Sequence, residues 1–475
     1  MNFEAVIGLE IHVEMKTKSK MFSAAPVTYG QAPNSAVVPL DLAHPGTMPL
    51  VNKQAVINAI RVANALHMEI DRELWFDRKN YFYADLPKGF QITQNERPIG
   101  KNGHLTVMGE QGLRRVNITR LHLEEDTAMQ HHFYDCTLLD YNRAGIPLIE
   151  IVSEPEIHSG REAGDYVDKI RSIVTFTNVS NGKMEEGSLR CDVNISLRPI
   201  GSPKLGTKVE IKNINSIFNV AKAIDFEIKR QNEVLLSGQP VIQETRRYDD
   251  AAQETVSMRL KTDSVDYKYF TEPNLVPIRL SEAFVQAAID GCPELAKDRF
   301  ARYRIGLDMS EYDAALLISS PDISNYFDKL VALKAPAKMA ANWLNGEISA
   351  HLNKNQIEMG AFPIEATRMA ALLVLIDQGR ISNKQARDLF SVMLESKENA
   401  SELVKRLGLA QISDQDALLA VVTDVLNENA QSIVDYKAGK DRAMGFLVGQ
   451  VMKKTQGKAN PGLASRLVKQ ELDKR

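Results

Sequence analysis

The segment from Ala5 to Lys16 constrains the fold most: Ile7, Leu9, Ile11, Val13 and Met15 are apolar, while Glu10, His12, Glu14 and Lys16 fill the alternate positions. A period of two belongs to a β-strand with one buried face, because successive side chains point to opposite sides of a sheet. The pattern recurs: Cys191, Val193, Ile195 and Leu197 alternate with Arg190, Asp192, Asn194 and Ser196. Val209 and Ile211 alternate with Lys208, Glu210 and Lys212, and Glu150 stands between Ile149 and Ile151. Half-exposed antiparallel strands have solvated outer faces of this kind. Several strands that each present a carboxylate equally fit one shared polar surface, and both readings stand here.

Strand-like segments and loops rich in Gly, Pro and Asn continue to about residue 290, which reads as an α+β domain. One helix is expected inside it, where Val51, Ala55, Val56, Ala59, Ile60, Ala63 and Leu66 follow helical spacing behind Asn52. From about Ser281 the texture turns helical, as in Ala337–Leu344 and Ala366–Ile376, giving an all-helical domain over 291–408. A break near Gly408, with Ser413 and Asp414 as caps for a helix beginning at Ala417, sets off a small helical tail over 409–475. Three domains suit 475 residues at roughly 150 residues each.

A chain that is 44% hydrophobic and 25% charged is an ordinary globular one, not a disordered one. Cys136, Cys191 and Cys292 form no C-x-x-C pair, so they frame neither a zinc site nor a disulfide network, and a reduced cytoplasm is expected. The N-terminus lacks a basic-then-apolar secretory pattern and no run of 18 apolar residues occurs, so no membrane span is expected.

Glu124 and Glu125 follow Val116–Leu123, whose apolar phase changes between Ile118 and Leu121. Adjacent residues of a regular strand face opposite ways, so a bulge or a strand end is needed for both carboxylates to reach one site. A charged turn after Leu123 is the alternative. If these carboxylates meet, two of them at about 4 Å repel by roughly 4 kcal/mol at an effective dielectric near 20. Lys208 and Lys212 offer part of the balance, and an oxygen-rich cluster with one imidazole suits Mg²⁺ or Mn²⁺.

The chain has no G-x-x-x-x-G-K-[ST], G-x-G-x-x-G, H-E-x-x-H or G-x-S-x-G motif, so a triphosphate would be held by metal and by Lys or Arg. Phe76–Gln94 gathers aromatics, bases and amides, which suits a charged substrate or an ordinary aromatic-anchored loop. Residues 451–475 hold seven basic and two acidic side chains, a net +5 that leaves −8 on the rest of the chain. This patch fits phosphate-backbone binding or a solvated terminus, and Asn460 with Pro461 fits the N-cap and first position of a last helix whose amides face a phosphate.

Ile7–His12, Arg78–Tyr83, Asp85–Gly89, Arg143–Leu148, Met184–Asp192, Val209–Asn213, Asp266–Phe270 and Gly457–Pro461 carry an end-to-end resemblance to the B subunits of aspartyl/glutamyl-tRNA amidotransferases, the GatB family. The resemblance implies an α+β N-terminal cradle domain with a mainly antiparallel sheet, then an all-helical domain and a small helical tail. It implies an ATP-dependent carbon–nitrogen ligase that phosphorylates Glu or Asp on mischarged tRNA and amidates it with ammonia from glutamine. The ammonia would come from an amidase partner, the A subunit of such enzymes, while a small third protein, the C subunit, would complete the assembly. No Ser-Ser-Lys amidase signature is visible, so glutaminase activity is expected to reside in the amidase partner.

By position, the resemblance assigns Mg²⁺ contacts to Glu10, His12, Glu124, Glu125, Glu150, Asp192 and Glu210, with Glu10 and Glu125 also expected to be catalytic. Charge and position make Lys79, Arg190 and Lys212 the candidates for phosphate or substrate-carboxylate contacts. Lys453, Lys454, Lys458, Arg466 and Lys469 are the expected tRNA contacts, and no nucleotide-binding residues are singled out. The rivals are a self-contained ligase for a small acid and a non-catalytic tRNA adaptor.

Overall fold

Alternation does produce a sheet, and one large enough to carry the whole polar surface on a single face. The computed structural model describes residues 2–110, 112–260, 266–408, 415–437, 440–455 and 459–475, in two compact units, Met1–Ala296 and Lys297–Arg475. Nine strands of the first unit form its main sheet: β1 (Phe3–Glu14), β2 (Glu69–Ile70), β3 (Gly100–Gly109), β4 (Gly112–Glu125), β5 (Pro147–Ser153), β6 (Leu189–Pro199), β7 (Val209–Lys212), β8 (Glu244–Asp249) and β9 (Glu254–Leu260). Their order is β9-β8-β7-β6-β1-β5-β4-β3-β2. Only the β7–β8 pairing is parallel.

The apolar phase of each strand, Ile7, Leu9, Ile11 and Val13 on β1 with Ile149, Ile151, Val193 and Ile195 beside them, is fully buried. It shares one core with three helices, α1 (Lys53–Ala65), α2 (Gly160–Phe176) and α3 (Ile217–Leu236). Helix α1 is the one read from the sequence, and Asn52 caps it by accepting from the amides of Gln54 and Ala55.

Helices α2 and α3 are additions to the sequence reading. Helix α2 buries Ala163, Tyr166, Val167, Ile170 and Val174 at helical spacing behind the Ser159 cap. Helix α3 mixes Glu227 and Gln231 into its buried stripe of Val220, Ala223 and Ile224, which breaks the hydrophobic signal. Glu227 is tolerated there because Arg230 (2.9 Å), Gln231 (2.9 Å) and Thr255 (3.0 Å) all donate to it.

The phase change in Val116–Leu123 is a β-bulge. Ile118 pairs with Ser153 and Arg120 with Val152, so Thr119 is the extra residue on β4. The slip keeps Val116, Ile118, Leu121 and Leu123 on the core side and sends His122 and Glu124 to the polar side.

The turn to helical texture at Ser281 precedes the boundary between the units. The helix Glu282–Asp290, capped by Ser281, buries Val285 and Ala288 in the sheet unit's core. Arg61 of α1 ties it down through the carbonyls of Ala288 (3.2 Å) and Gly291 (2.7 Å). The second unit is helical among the described residues, with one apolar cluster from Tyr303 to Val404 and another from Leu418 to Leu472. Ser413 and Asp414 lie outside the described residues; the helix they were expected to cap is described from Gln415 to Glu428. No described helix is long and apolar enough to cross a membrane.

Helices α2 and α3 touch at Gly160, where a Cβ would lie 2.4 Å from the Ala221 carbonyl oxygen and 2.6 Å from an Asp225 oxygen. Gly160→Ala must therefore part the two helices and is expected to cost about 1–3 kcal/mol in urea denaturation. An unchanged midpoint would show that this close approach bears no strain.

Candidate functional site

On the polar face, antiparallel register lines up one row of side chains across four strands: His122 on β4, Glu150 on β5, His12 on β1 and Arg190 on β6. The rows on either side bring Glu124 of β4, and Glu10 with Asp192, next to it. His12 Nε2 lies 3.5 Å from Glu150 Oε2 and 3.8 Å from Glu124 Oε1. His122 Nε2 lies 3.1 Å from Glu150 Oε2 and 3.7 Å from Glu124 Oε2. Ligand atoms of His12, Glu124 and Glu150 all fall within 4.8 Å of one another, the one such group of three or more among the described residues.

Two buried carboxylates in one group need positive charge, and the two imidazoles supply it. Burial opposes charging His12, but Glu150, Glu124 and Asp192 raise its pKa to about 9; His122 is raised by Glu150 and Glu124 against the same opposition. Burial pushes Glu150 up, yet His122 and His12 hold it well below the usual carboxylate range. Glu10 is raised, first by burial and then by Glu150 and Asp192, while Asn194 donates to it at 2.9 Å.

Lys79, whose charge Glu124 and Glu150 favour, stands on a short ladder in which Asp77–Asn80 pairs with Phe90–Thr93 and with Phe270–Thr271. Arg78 anchors that ladder: its guanidinium holds Glu272 at 2.6 and 3.2 Å and lies 3.9 Å from the Phe90 ring centroid. The next residue, Lys79, points the other way, with Nζ 4.9 Å from the Tyr267 centroid. Burial lowers its pKa, but Glu124, Tyr269 and Glu150 outweigh that and keep it charged.

The expected set divides. Glu125 ends β4 in the phase of Leu121 and Leu123, and its carboxylate binds Lys88 and the Ile92 amide (3.0 Å), so it stands outside the three-ligand group. Asp192 and Glu210 also lie outside it: Lys212 Nζ bridges them at 2.5 and 3.3 Å, and Thr245 donates to Glu210 at 2.8 Å. Arg190 binds Asp126 at 2.8 Å.

Four participants were not among the site residues expected from the sequence. His122 was legible in principle, because it shares a period-two phase with Glu124. Lys88 and Asp126 were hidden because their partners are distant in sequence. Glu14, raised to about 7 by burial and by Asp126, accepts from the Tyr29 hydroxyl at 2.8 Å and forms a further acidic pair on this face.

At the C-terminal end Lys453, Lys454, Arg466 and Lys469 are exposed, and Lys458 lies outside the described residues. Lys454 is matched by Glu428 (2.6 Å) and Asp424 (3.8 Å). Asn460 and Pro461 do begin the last helix, Pro461–Lys474, but Asn460 Oδ1 already accepts from the amides of Gly462 (2.9 Å) and Leu463 (3.0 Å). Those two amides are therefore not open to a phosphate, which corrects the sequence reading.

The donor chemistry fits a hard divalent cation. Two carboxylates and one imidazole make a partial shell that leaves positions for water or phosphate oxygens, as Mg²⁺ and Mn²⁺ sites do.

The chain matches a family model described as the GatB/GatE catalytic domain over residues 5–286 and another described as the GatB domain over residues 325–472. It is similar to the B subunits of the aspartyl/glutamyl-tRNA(Asn/Gln) amidotransferases of Lysinibacillus sphaericus, Bacillus cereus and Staphylococcus aureus. In each case the identity is 49% over 475 residues, covering 100% of both chains.

Lys88→Met would remove the only cation paired, among the described residues, with the Glu125 carboxylate, whose side chain is 4% exposed, and would leave it the Ile92 amide. It is expected to cost about 3–5 kcal/mol by denaturation, as when one partner of a buried pair is removed. Adding Glu125→Gln should recover part of that loss, and a strictly additive double variant would show that the two side chains are not coupled.

Proposed function

The chain belongs to the family of aspartyl/glutamyl-tRNA amidotransferase B subunits, and we propose that its polar sheet face activates and amidates the side-chain carboxylate of Glu or Asp mischarged on tRNA(Gln) or tRNA(Asn). The observation that carries this reading is the meeting of His12, Glu124 and Glu150 with Lys79 beside them, a group able to hold a cation and a polyanion together.

A carboxylate is a poor acyl donor, and phosphorylation by ATP gives it a leaving group. When bound, Mg²⁺ or Mn²⁺ offsets the charge spread over the transferred phosphoryl oxygens. His12, Glu124 and Glu150 would hold that ion. Lys79 and Arg190 present cations to the phosphoryl oxygens or the substrate carboxylate from two sides. Glu10, which accepts a hydrogen bond from Asn194, would take the proton that ammonia loses on becoming an amide. Asp192, Glu210 and Lys212 form a neutralised border of the site, and Glu125 with Lys88 marks its edge at the end of β4. The ammonia comes from glutamine hydrolysed by the amidase partner, and the small third protein completes a cytoplasmic heterotrimer.

In the reconstituted complex, Glu150→Ala and His12→Ala should each lower amide formation by at least about 100-fold, the size expected when one element of a charge-stabilising site is lost. Binding of mischarged tRNA should be kept, and ATP turnover should require that tRNA. Undiminished amide formation in both variants would make the chain an adaptor.

Exposed Lys453, Arg466 and Lys469, which form no ion pair among the described residues, are proposed phosphate contacts. Replacing all three by Ala should reduce the slope of log affinity against log salt by about 2–3. Lys454→Ala should change it little, because Glu428 and Asp424 already match that charge. Equal effects of all four would contradict this assignment.

A further inference from the structure

His122 is a buried imidazole, with a side chain 4% exposed, whose Nε2 approaches Glu150 Oε2 at 3.1 Å and Glu124 Oε2 at 3.7 Å. Its Nδ1 is buried without a hydrogen-bond partner among the described residues. The bulge at Thr119 is what delivers it: without the extra residue, the phase of β4 would turn His122 into the core and Leu121 or Leu123 onto the polar face. A buried polar ring at such a position needs a partner, and the two it finds are the carboxylates of the ligand group.

From this placement we infer that His122 is a positioning residue: it holds the Glu150 and Glu124 carboxylates in the orientation that, with His12, receives a divalent cation, and does not itself bind the ion. The inference rests on the metal-binding reading above. The two histidines approach the same carboxylates at similar distances and differ in exposure, the His12 side chain being 22% exposed and the His122 side chain 4%. His12 is therefore the one open to an arriving ion, and it is His12 that completes the group of ligand atoms within 4.8 Å of one another. His122 Nε2 lies within hydrogen-bond distance of Glu150 Oε2, so its contribution is to orient that carboxylate, as is common for groups that surround metal-binding carboxylates.

The test is Mn²⁺ titration of the full chain followed by electron paramagnetic resonance, with thermal melts as the fold control. His122→Phe keeps volume but lacks a donor and should weaken Mn²⁺ binding about 10–100-fold. His122→Gln keeps an N–H near the Nε2 position and should restore most of that affinity; should the Phe variant not fold, His122→Leu takes its place. Pulsed measurements should show one imidazole nitrogen coupled to Mn²⁺ in the wild type and in His122→Gln, and none in His12→Ala. Two coupled nitrogens in the wild type, falling to one in His122→Gln, would overturn the inference by making His122 a ligand. Equal losses in the Phe and Gln variants would overturn it in favour of packing, and unchanged binding in both would overturn it outright. If the wild type binds no Mn²⁺, or if His12→Ala and Glu150→Ala bind it as tightly, the metal reading fails and takes this inference with it.

Discussion

The structure depends on strand register. Side chains alternate with a period of two, so a one-residue slip in β1, β5 or β6 would exchange Glu10, His12, Glu150 and Asp192 with Ile11, Ile149 and Val193. The buried apolar phase forbids that slip, because it would expose the side chains that bind α1, α2 and α3 and drive carboxylates into the core. The same hydrophobic interaction that folds the unit therefore sets the geometry of its polar face, and places His122, Glu150, His12 and Arg190 in one row without any loop being involved. Backbone ladders on both sides hold β1 and β5, which suits a site that must keep several charges in fixed relation.

Strand alternation was the part of this arrangement most open to sequence reading, since hydrophobic burial writes it directly into the chain. Phase alone put Glu10, His12, Glu150, Asp192 and Glu210 each on the polar side of its own strand, with a shared surface as one of two readings, and the structure sets all five on one face of the sheet. Pairing between strands is not written in that way. Nothing in Asp192 or Glu210 says that Lys212 will bridge them, nor in Glu125 that Lys88 will meet it across the end of β4. The bulge at Thr119 was legible only as a broken phase. Its consequence, that His122 and not Glu125 accompanies Glu124, follows from which residue is extra, and that is settled by pairing with β5.

Helix α3 and the start of the last helix show two other ways in which local signals fall short. In α3 a buried Glu227 looks like a solvent-facing residue until Arg230 and Thr255 are seen to bind it from outside the stripe. At Asn460 the sequence names the cap correctly, but a cap satisfies the amides that would otherwise attract an anion. Lys454 makes the same point for charge: its place in a basic segment is visible, while the carboxylates of Glu428 and Asp424 that offset it come from another helix.

Of the acidic groups on the polar face, two are neutralised by cations that differ in kind. Lys212 offers Asp192 and Glu210 an ammonium, which has donors and no lone pair while charged, so it closes that pair to a second cation. His12 and His122 offer Glu124 and Glu150 imidazoles. An imidazole compensates carboxylates when protonated, and when neutral it presents a lone pair, so it is able to give way to an ion without the ring leaving its position. A lysine at position 12 would also balance the two glutamates, but as an ammonium it would add no lone pair to the donor set. Charge balance alone gives no reason to prefer imidazole over lysine between two glutamates; exchangeable charge does. Under the function proposed here, that difference separates the site from its border on a sheet whose strands are otherwise alike.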